Sequence, residues 1–204
     1  MIKHVTLAAV LAAALSGAAA AQAPAAQASG PTDPQIAHIA YTAGQIDVAA
    51  GKQALAKSKN KQVRAFAQEM VRDHAAVNDQ ALALVGRLKV APEANPTSAA
   101  LSAQAATKLQ QMAKLKGSAF DRAYVQNEIA YHKVVNSALS GTLIPNADNA
   151  ELKGLLQTGL KLFQEHQLHA EQLGQAMGKK KRASQDHGGH ERPTYDRPSG
   201  GERY

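Results

Sequence analysis

An all-α bundle of four long helices with one connecting helix is the fold this chain predicts, and three observations carry it. Aromatic residues make up 4% of the chain against 45% hydrophobic ones, and Ala, Leu and Gln are abundant. That composition packs helices through small side chains more readily than it fills a β-sandwich or barrel. Apolar residues recur three and four apart from Pro34 to Met177, the spacing of one helix face. Interruptions fall at Ala91-Pro92, Gly117-Ser118 and Pro145, residues that stop or start helices. The chain has no cysteine, which excludes a disulfide framework, a thiolate metal site, a cysteine nucleophile and a cysteine-linked lipid anchor.

The elements follow in order. Residues 1–21 read as a signal peptide: Lys3 precedes the apolar run Val5 to Leu15, and Ala19 and Ala21 offer small-residue cleavage positions,. An uncleaved N-terminal anchor is the other reading, although the run is short for a membrane span. Residues 22–33 form an Ala/Pro/Gln linker, and 34–178 the bundle. Thr32 or Asp33 caps the first helix, with Pro34 at its first position, and that helix runs to about Ser58,. The second runs from about Lys61 to Lys89. Thr97 or Ser98 starts the connecting helix, which presents Leu101, Ala105, Leu109 and Met112 on one face and reaches about Lys116. The third long helix follows Gly117-Ser118 and ends near Leu143, before Pro145. Asp148 caps the fourth, which runs to Met177 with Gly178 as its stop,.

Residues 179–204 predict a disordered basic tail, because Gly, Pro, Ser and charge there offer too little apolar surface to offset ordering. The formal net charge is +7, and the tail supplies about half of the positive excess left after the signal peptide. Its cluster Lys179, Lys180, Lys181 and Arg182 suits anionic lipid head groups or acidic envelope polymers in an exported protein, or serves solubility. No nucleic-acid partner is expected behind a signal peptide. His187 and His190 are a weak metal signal.

The registers of the long helices carry the functional information. The first buries Ile36, Ala40, Ala43, Asp47, Ala50 and Ala54, and the second Val63, Ala67, Met70, His74, Val77, Ala81, Leu84 and Leu88. The third buries Val125, Glu128, His132, Val135 and Leu139; the fourth Leu152, Leu155, Gly159, Leu162, His166, His169, Leu173 and Ala176. Each long helix thus turns a metal-capable side chain inward. At a rise of about 1.5 Å per residue, these side chains lie roughly 15–27 Å from their helix starts, so all four helices reach a common middle layer. The connecting helix, roughly 27 Å long, is able to return the chain so that the second and third long helices run parallel, as in ferritin-like bundles.

The run from Val63 to His74 (Val-Arg-Ala-Phe-Ala-Gln-Glu-Met-Val-Arg-Asp-His), the Gly117-Ser118-Ala119-Phe120-Asp121-Arg122-Ala123-Tyr124 opening, Tyr131-His132 and His166 together resemble the bacterial envelope family called domain of unknown function 4142. The resemblance implies a ferritin-like four-helix bundle and export to the periplasm or outer membrane, and no settled biochemical role. Spacing departs from di-iron bundles, which place Glu and His three apart. Here Glu128 and His132, and Glu165 and His169, are four apart, so a ferroxidase centre is not implied.

Two readings of the layer stand side by side. In one, Asp47, His74, Glu128, His132 and His166, with His169 as a further candidate, ligate a divalent transition metal (Fe, Mn, Cu or Zn) for metal handling or stress protection, since imidazole and carboxylate suit such ions. Asp73 and Glu165 beside the histidines, and Tyr41, Tyr124 and Tyr131 nearby, would then support the ligands. In the other, the same groups hydrogen-bond to one another and set helix register, in a metal-free structural or interaction module. Glu69 and Glu171 read as surface charges. With no phosphate-binding glycine loop and no nucleophile in a strained turn, no catalytic residue is assigned.

Overall fold

The computed structural model describes residues 30–186. These form α1 (Asp33–Lys57), α2 (Lys61–Leu88), α3 (Pro96–Ala113), α4 (Gly117–Ala138), a π-helical turn (Leu139–Leu143), the single turn α5 (Ile144–Asn146) and α6 (Ala150–Asp186). Local chemistry sets most ends. The Asn60 side chain accepts from the Gln62 N–H at 3.0 Å, and Lys89 closes α2 in the left-handed region at φ 53°. Gly117 opens α4 at φ 53°, a conformation that glycine adopts without the clash a Cβ would bring.

Four ends differ from expectation. Asn95, not Thr97 or Ser98, caps α3: its side chain accepts from Ser98 N at 3.1 Å and Pro96 takes the first position, where a missing N–H costs nothing. Asn149, not Asp148, caps α6, accepting from the N–H groups of Glu151 and Leu152 at 3.0 Å each. The third long helix widens into the π turn before Pro145, because proline lacks the N–H for the Gly141 carbonyl and its ring crowds that group. Gly178 does not stop α6, which continues to Asp186. Without a left-handed turn a glycine inside a helix costs only about 1 kcal/mol, and the Lys/Arg run after it favours helix. The signal peptide, most of the linker, and His187 and His190 lie outside the described residues.

Contacts at the helix ends give the direction of each element. Glu93 N donates to Pro34 O at 3.0 Å where α3 is about to begin, while Gln53 Nε2 donates to Leu109 O at 2.9 Å and Lys57 Nζ to Ala113 O at 2.7 Å where it ends. The connecting helix therefore runs alongside α1 in the same direction, and α4 starts beside the beginning of α2. The Asp33 carboxylate accepts from the N–H groups of Asp148 and Asn149 at 2.9 and 2.8 Å, tying the start of α1 to the start of α6. Hence α2 and α4 are parallel, α1 and α6 are parallel, and α1 with α2 and α4 with α6 are antiparallel pairs: the one-crossover connectivity of ferritin-like bundles.

The interior divides into two apolar clusters. One, toward the ends of α1 and α3, includes Phe66, Met70, Phe120, Tyr124 and Leu173. The other, toward the start of α1 and the π turn, includes Ile36, Leu139, Leu143, Leu156 and Phe163. No helix among the described residues is long and apolar enough to cross a membrane.

Candidate metal centre

Between the two apolar clusters lies a buried polar layer to which α1, α2, α4 and α6 each contribute: Asp47, His74, Glu128 with His132, and His166. Apolar residues flank these positions on their seams, such as Ala43 and Ala50 around Asp47, Met70 before His74 and Phe163 and Ala170 around His166. Burying the apolar faces carries the polar groups in with them. The three imidazoles form a triangle with ring centroids 5.3–5.6 Å apart.

The oxygen Oδ2 of Asp47 is 3.3 Å from His74 Nε2 and 3.5 Å from His132 Nε2. Neither pair is aligned as a hydrogen bond, and these three atoms have no hydrogen-bond partner among the described residues. The same is true of Asp47 Oδ1, both carboxylate oxygens of Glu128, His74 Nδ1 and His166 Nδ1. Buried polar atoms are nearly always paired, and each left unpaired costs about 1–3 kcal/mol. So many in one layer make it a place able to take a further partner.

Neighbouring groups orient two of the rings. His132 Nδ1 lies 3.0 Å from the Glu128 carbonyl oxygen, an acceptor, so Nδ1 carries the proton and Nε2 presents a lone pair toward Asp47. His166 Nε2 lies 3.0 Å from Asp73 Oδ2; that nitrogen donates outward and leaves Nδ1 as the inward lone pair. This carboxylate-to-histidine arrangement is the one that orients metal-ligating imidazoles. His74 is held by stacking on Phe163, with centroids 4.4 Å apart and planes 15° apart.

Electrostatics point the same way. Burial drives the His74 pKa down to about 3 and lowers that of His132, so both are neutral near pH 7, the form that ligates metals. Burial raises the Asp47 pKa, partly offset by the charge of His132. It raises that of Glu128 well above the carboxylate range, helped by the negative charge of nearby Asp47. Glu128 therefore holds a proton that leaves it neutral beside Asp47. A bound cation would replace that proton.

Two sets of core donors converge within 4.8 Å: His74 with His132 and His166, and Asp47 with Glu128 and His132. Other sequence-predicted residues fall elsewhere. His169 does not join the layer; 45% of its side chain is exposed, and its Nδ1 lies 2.8 Å from Glu69 Oε2 on the α2–α6 surface. The α6 seam takes Leu156, Phe163 and Ala170 in place of Leu155, Leu162 and His169, because the larger Phe163 fills the space under His74. Glu165 is exposed, turned about 100° around α6 from His166. Tyr41 accepts from Gln45 Nε2 at 2.9 Å along its own helix and does not support a ligand. The Tyr131 hydroxyl donates to Ala43 O at 2.9 Å, bracing α4 on α1, with its ring edge-on to His132. Tyr124 is fully buried with an unpartnered hydroxyl; burial pushes its pKa up, aided by the charges of Glu128 and Asp47.

Sequence reasoning missed Phe163, Asn78 and Asn136. The two asparagines sit one turn beyond His74 and His132 on the same faces, a signal that was there to be read. Asn136 Nδ2 donates to Gln167 Oε1 at 3.0 Å. Asn78 packs directly over Gly44, where a Cβ would collide with its amide.

The family described as Domain of unknown function (DUF4142) matches residues 17–173. No curated protein matches the chain. Among solved structures, a DUF305 protein from Streptomyces coelicolor, whose name proposes secretion, superposes with a TM-score of 0.61 at 11% identity, covering 71% of this chain and 92% of its own. At that identity the likeness concerns the helical fold alone.

Proposed function

We propose that this chain, which belongs to the DUF4142 family, is an exported protein that binds a divalent transition metal in the middle of its bundle. One observation carries the reading. Tetrahedral donors at bond lengths of about 2.0–2.2 Å stand about 3.3–3.6 Å apart, and Asp47 Oδ2 stands 3.3 and 3.5 Å from two imidazole nitrogens that have no other partner. His166 Nδ1 supplies a further unpaired donor. Glu128 balances charge, giving up its proton as the cation binds. Three imidazoles and a carboxylate suit Zn, Cu or Fe, with Mn favoured as more carboxylate is used. Bound there, the metal would be held away from water for storage, sensing or protection from oxidative stress, in the periplasm or at the outer membrane. The basic segment Lys179, Lys180, Lys181 and Arg182, which prolongs α6, would dock the protein on anionic lipid head groups or acidic polymers.

Elemental analysis of the mature, untagged protein, purified without chelator beside a His74→Ala/His132→Ala variant, tests the centre. Near-stoichiometric metal in the wild type and its loss in the variant is the expected result. Wild-type protein that is metal-free and takes up neither Fe, Mn, Cu nor Zn would end this reading and leave the layer as a hydrogen-bonded register device.

A further inference from the structure

We infer that the α2–α6 seam holds an outer cation site, made of Glu69, Asp73 and His166 with His169 at its rim, through which a divalent ion reaches the core centre, and that Arg72 keeps this site closed. The inference rests on the core centre proposed above. Every core donor is buried, so an ion must cross the wall of the bundle. At this seam the wall is one side chain thick. Asp73, with 17% of its side chain exposed, touches His166 Nε2 at 3.0 Å, and His166 is itself a fully buried member of the imidazole triangle. One ring therefore joins outside and inside, with Nε2 toward the surface carboxylate and the unpartnered Nδ1 toward the core.

The donors are spaced for a cation. Ligand atoms of Glu69, Asp73 and His166 lie within 4.8 Å of one another, since Glu69 and Asp73 are four apart on α2 and so share a face. Glu69 reaches further out to His169 Nδ1 at 2.8 Å. Among the described residues the α4–α6 seam offers no comparable set: Glu171 there faces Lys133 Nζ at 3.4 Å, and Asn136 spans the helices to Phe163 O and Gln167.

Arg72 occupies the outer position in the meantime. Its Nε and a terminal nitrogen donate to the two oxygens of Asp73 at 2.7 and 2.9 Å. With 71% of the Arg72 side chain exposed, it is free to swing into solvent. An arriving dication exchanges for the guanidinium at Asp73 and for the proton on His166 Nε2, the ring taking the Nδ1–H tautomer until the ion moves inward and the proton returns to Nε2,.

Stopped-flow uptake of Co2+ by the mature full-length chain, followed by the visible absorption of bound Co2+ with equilibrium dialysis for the end point, tests the route. Glu69→Gln should slow uptake at least about fivefold, as removing a steering charge at a port does, and reach the same final spectrum. Arg72→Ala should speed it. Glu171→Gln, which removes the same charge from the other seam, should match the wild type. A wild-type rate in Glu69→Gln, or equal slowing by Glu171→Gln, overturns the route while normal end points leave the core centre standing. Absence of Co2+ uptake in the wild type removes the centre and the route with it.

Discussion

The middle layer and the apolar cluster at the ends of α1 and α3 are buried alike, yet burial has opposite consequences in them. Phe66, Met70 and Phe120 gain by leaving water,. Asp47, His74 and Glu128 lose solvation and find few partners in return,. Stability is thus built at the ends of the bundle, and the middle holds groups that burial leaves short of partners. A chain selected for stability alone would fill that layer with leucine.

The comparison can be broken from either side. The largest effect is expected at the end cluster: Phe66→Ala should lower the stability of the metal-free protein by about 3–5 kcal/mol, read as a shift in the urea midpoint at constant slope, with metal still bound by the folded fraction. A loss below about 1 kcal/mol would show that this cluster does not carry the fold. In the middle the sign should reverse. Glu128→Leu removes two unpartnered buried oxygens and should stabilise the metal-free protein by about 1–3 kcal/mol while weakening metal binding. Marked destabilisation would mean that Glu128 is a satisfied structural group.

The smallest effect sharpens the contrast through pH. The His74 pKa is depressed to about 3 against about 6.5 in the unfolded chain. Between those values the unfolded state binds the extra proton, so the stability from keeping His74 neutral is present above pH 6.5 and is lost as pH falls toward 3. Wild type in chelator should therefore lose about 1 kcal/mol relative to His74→Leu between pH 7 and 5.5. Asp47, Asp73, His132 and His166 face the ring in both proteins, so the difference reports His74 together with its coupling to His132. Parallel stability curves for the two would show that the ring is charged when folded.

Much of this was legible before the fold was seen, and what was not has particular causes. Seam counting placed Asp47, His74, Glu128, His132 and His166 together because each sits on a face otherwise made of apolar residues. The same counting failed at His169. Along α6 the rows Leu155, Leu162, His169 and Leu156, Phe163, Ala170 each repeat every seven residues and lie about 100° apart, one on either side of His166, and periodicity alone does not rank them. The bulk of Phe163 against the His74 ring broke the tie. Glu165 falls away for a different reason: on a helix, the sequence neighbour of an inward residue points elsewhere; and the Tyr41 hydroxyl pairs with Gln45 on its own helix.

By itself, then, the sequence determined the helical class, most helix ends and the inward address of five metal-capable groups, since 3.6-residue periodicity and capping chemistry act within a few residues. The tertiary structure alone decided the rotation of α6, the lone pairs that His132 and His166 turn toward the core, and the Arg72–Asp73–His166 chain at the surface. Those depend on distances between atoms contributed by different helices, set by how side-chain volumes fit, and no local pattern encodes them.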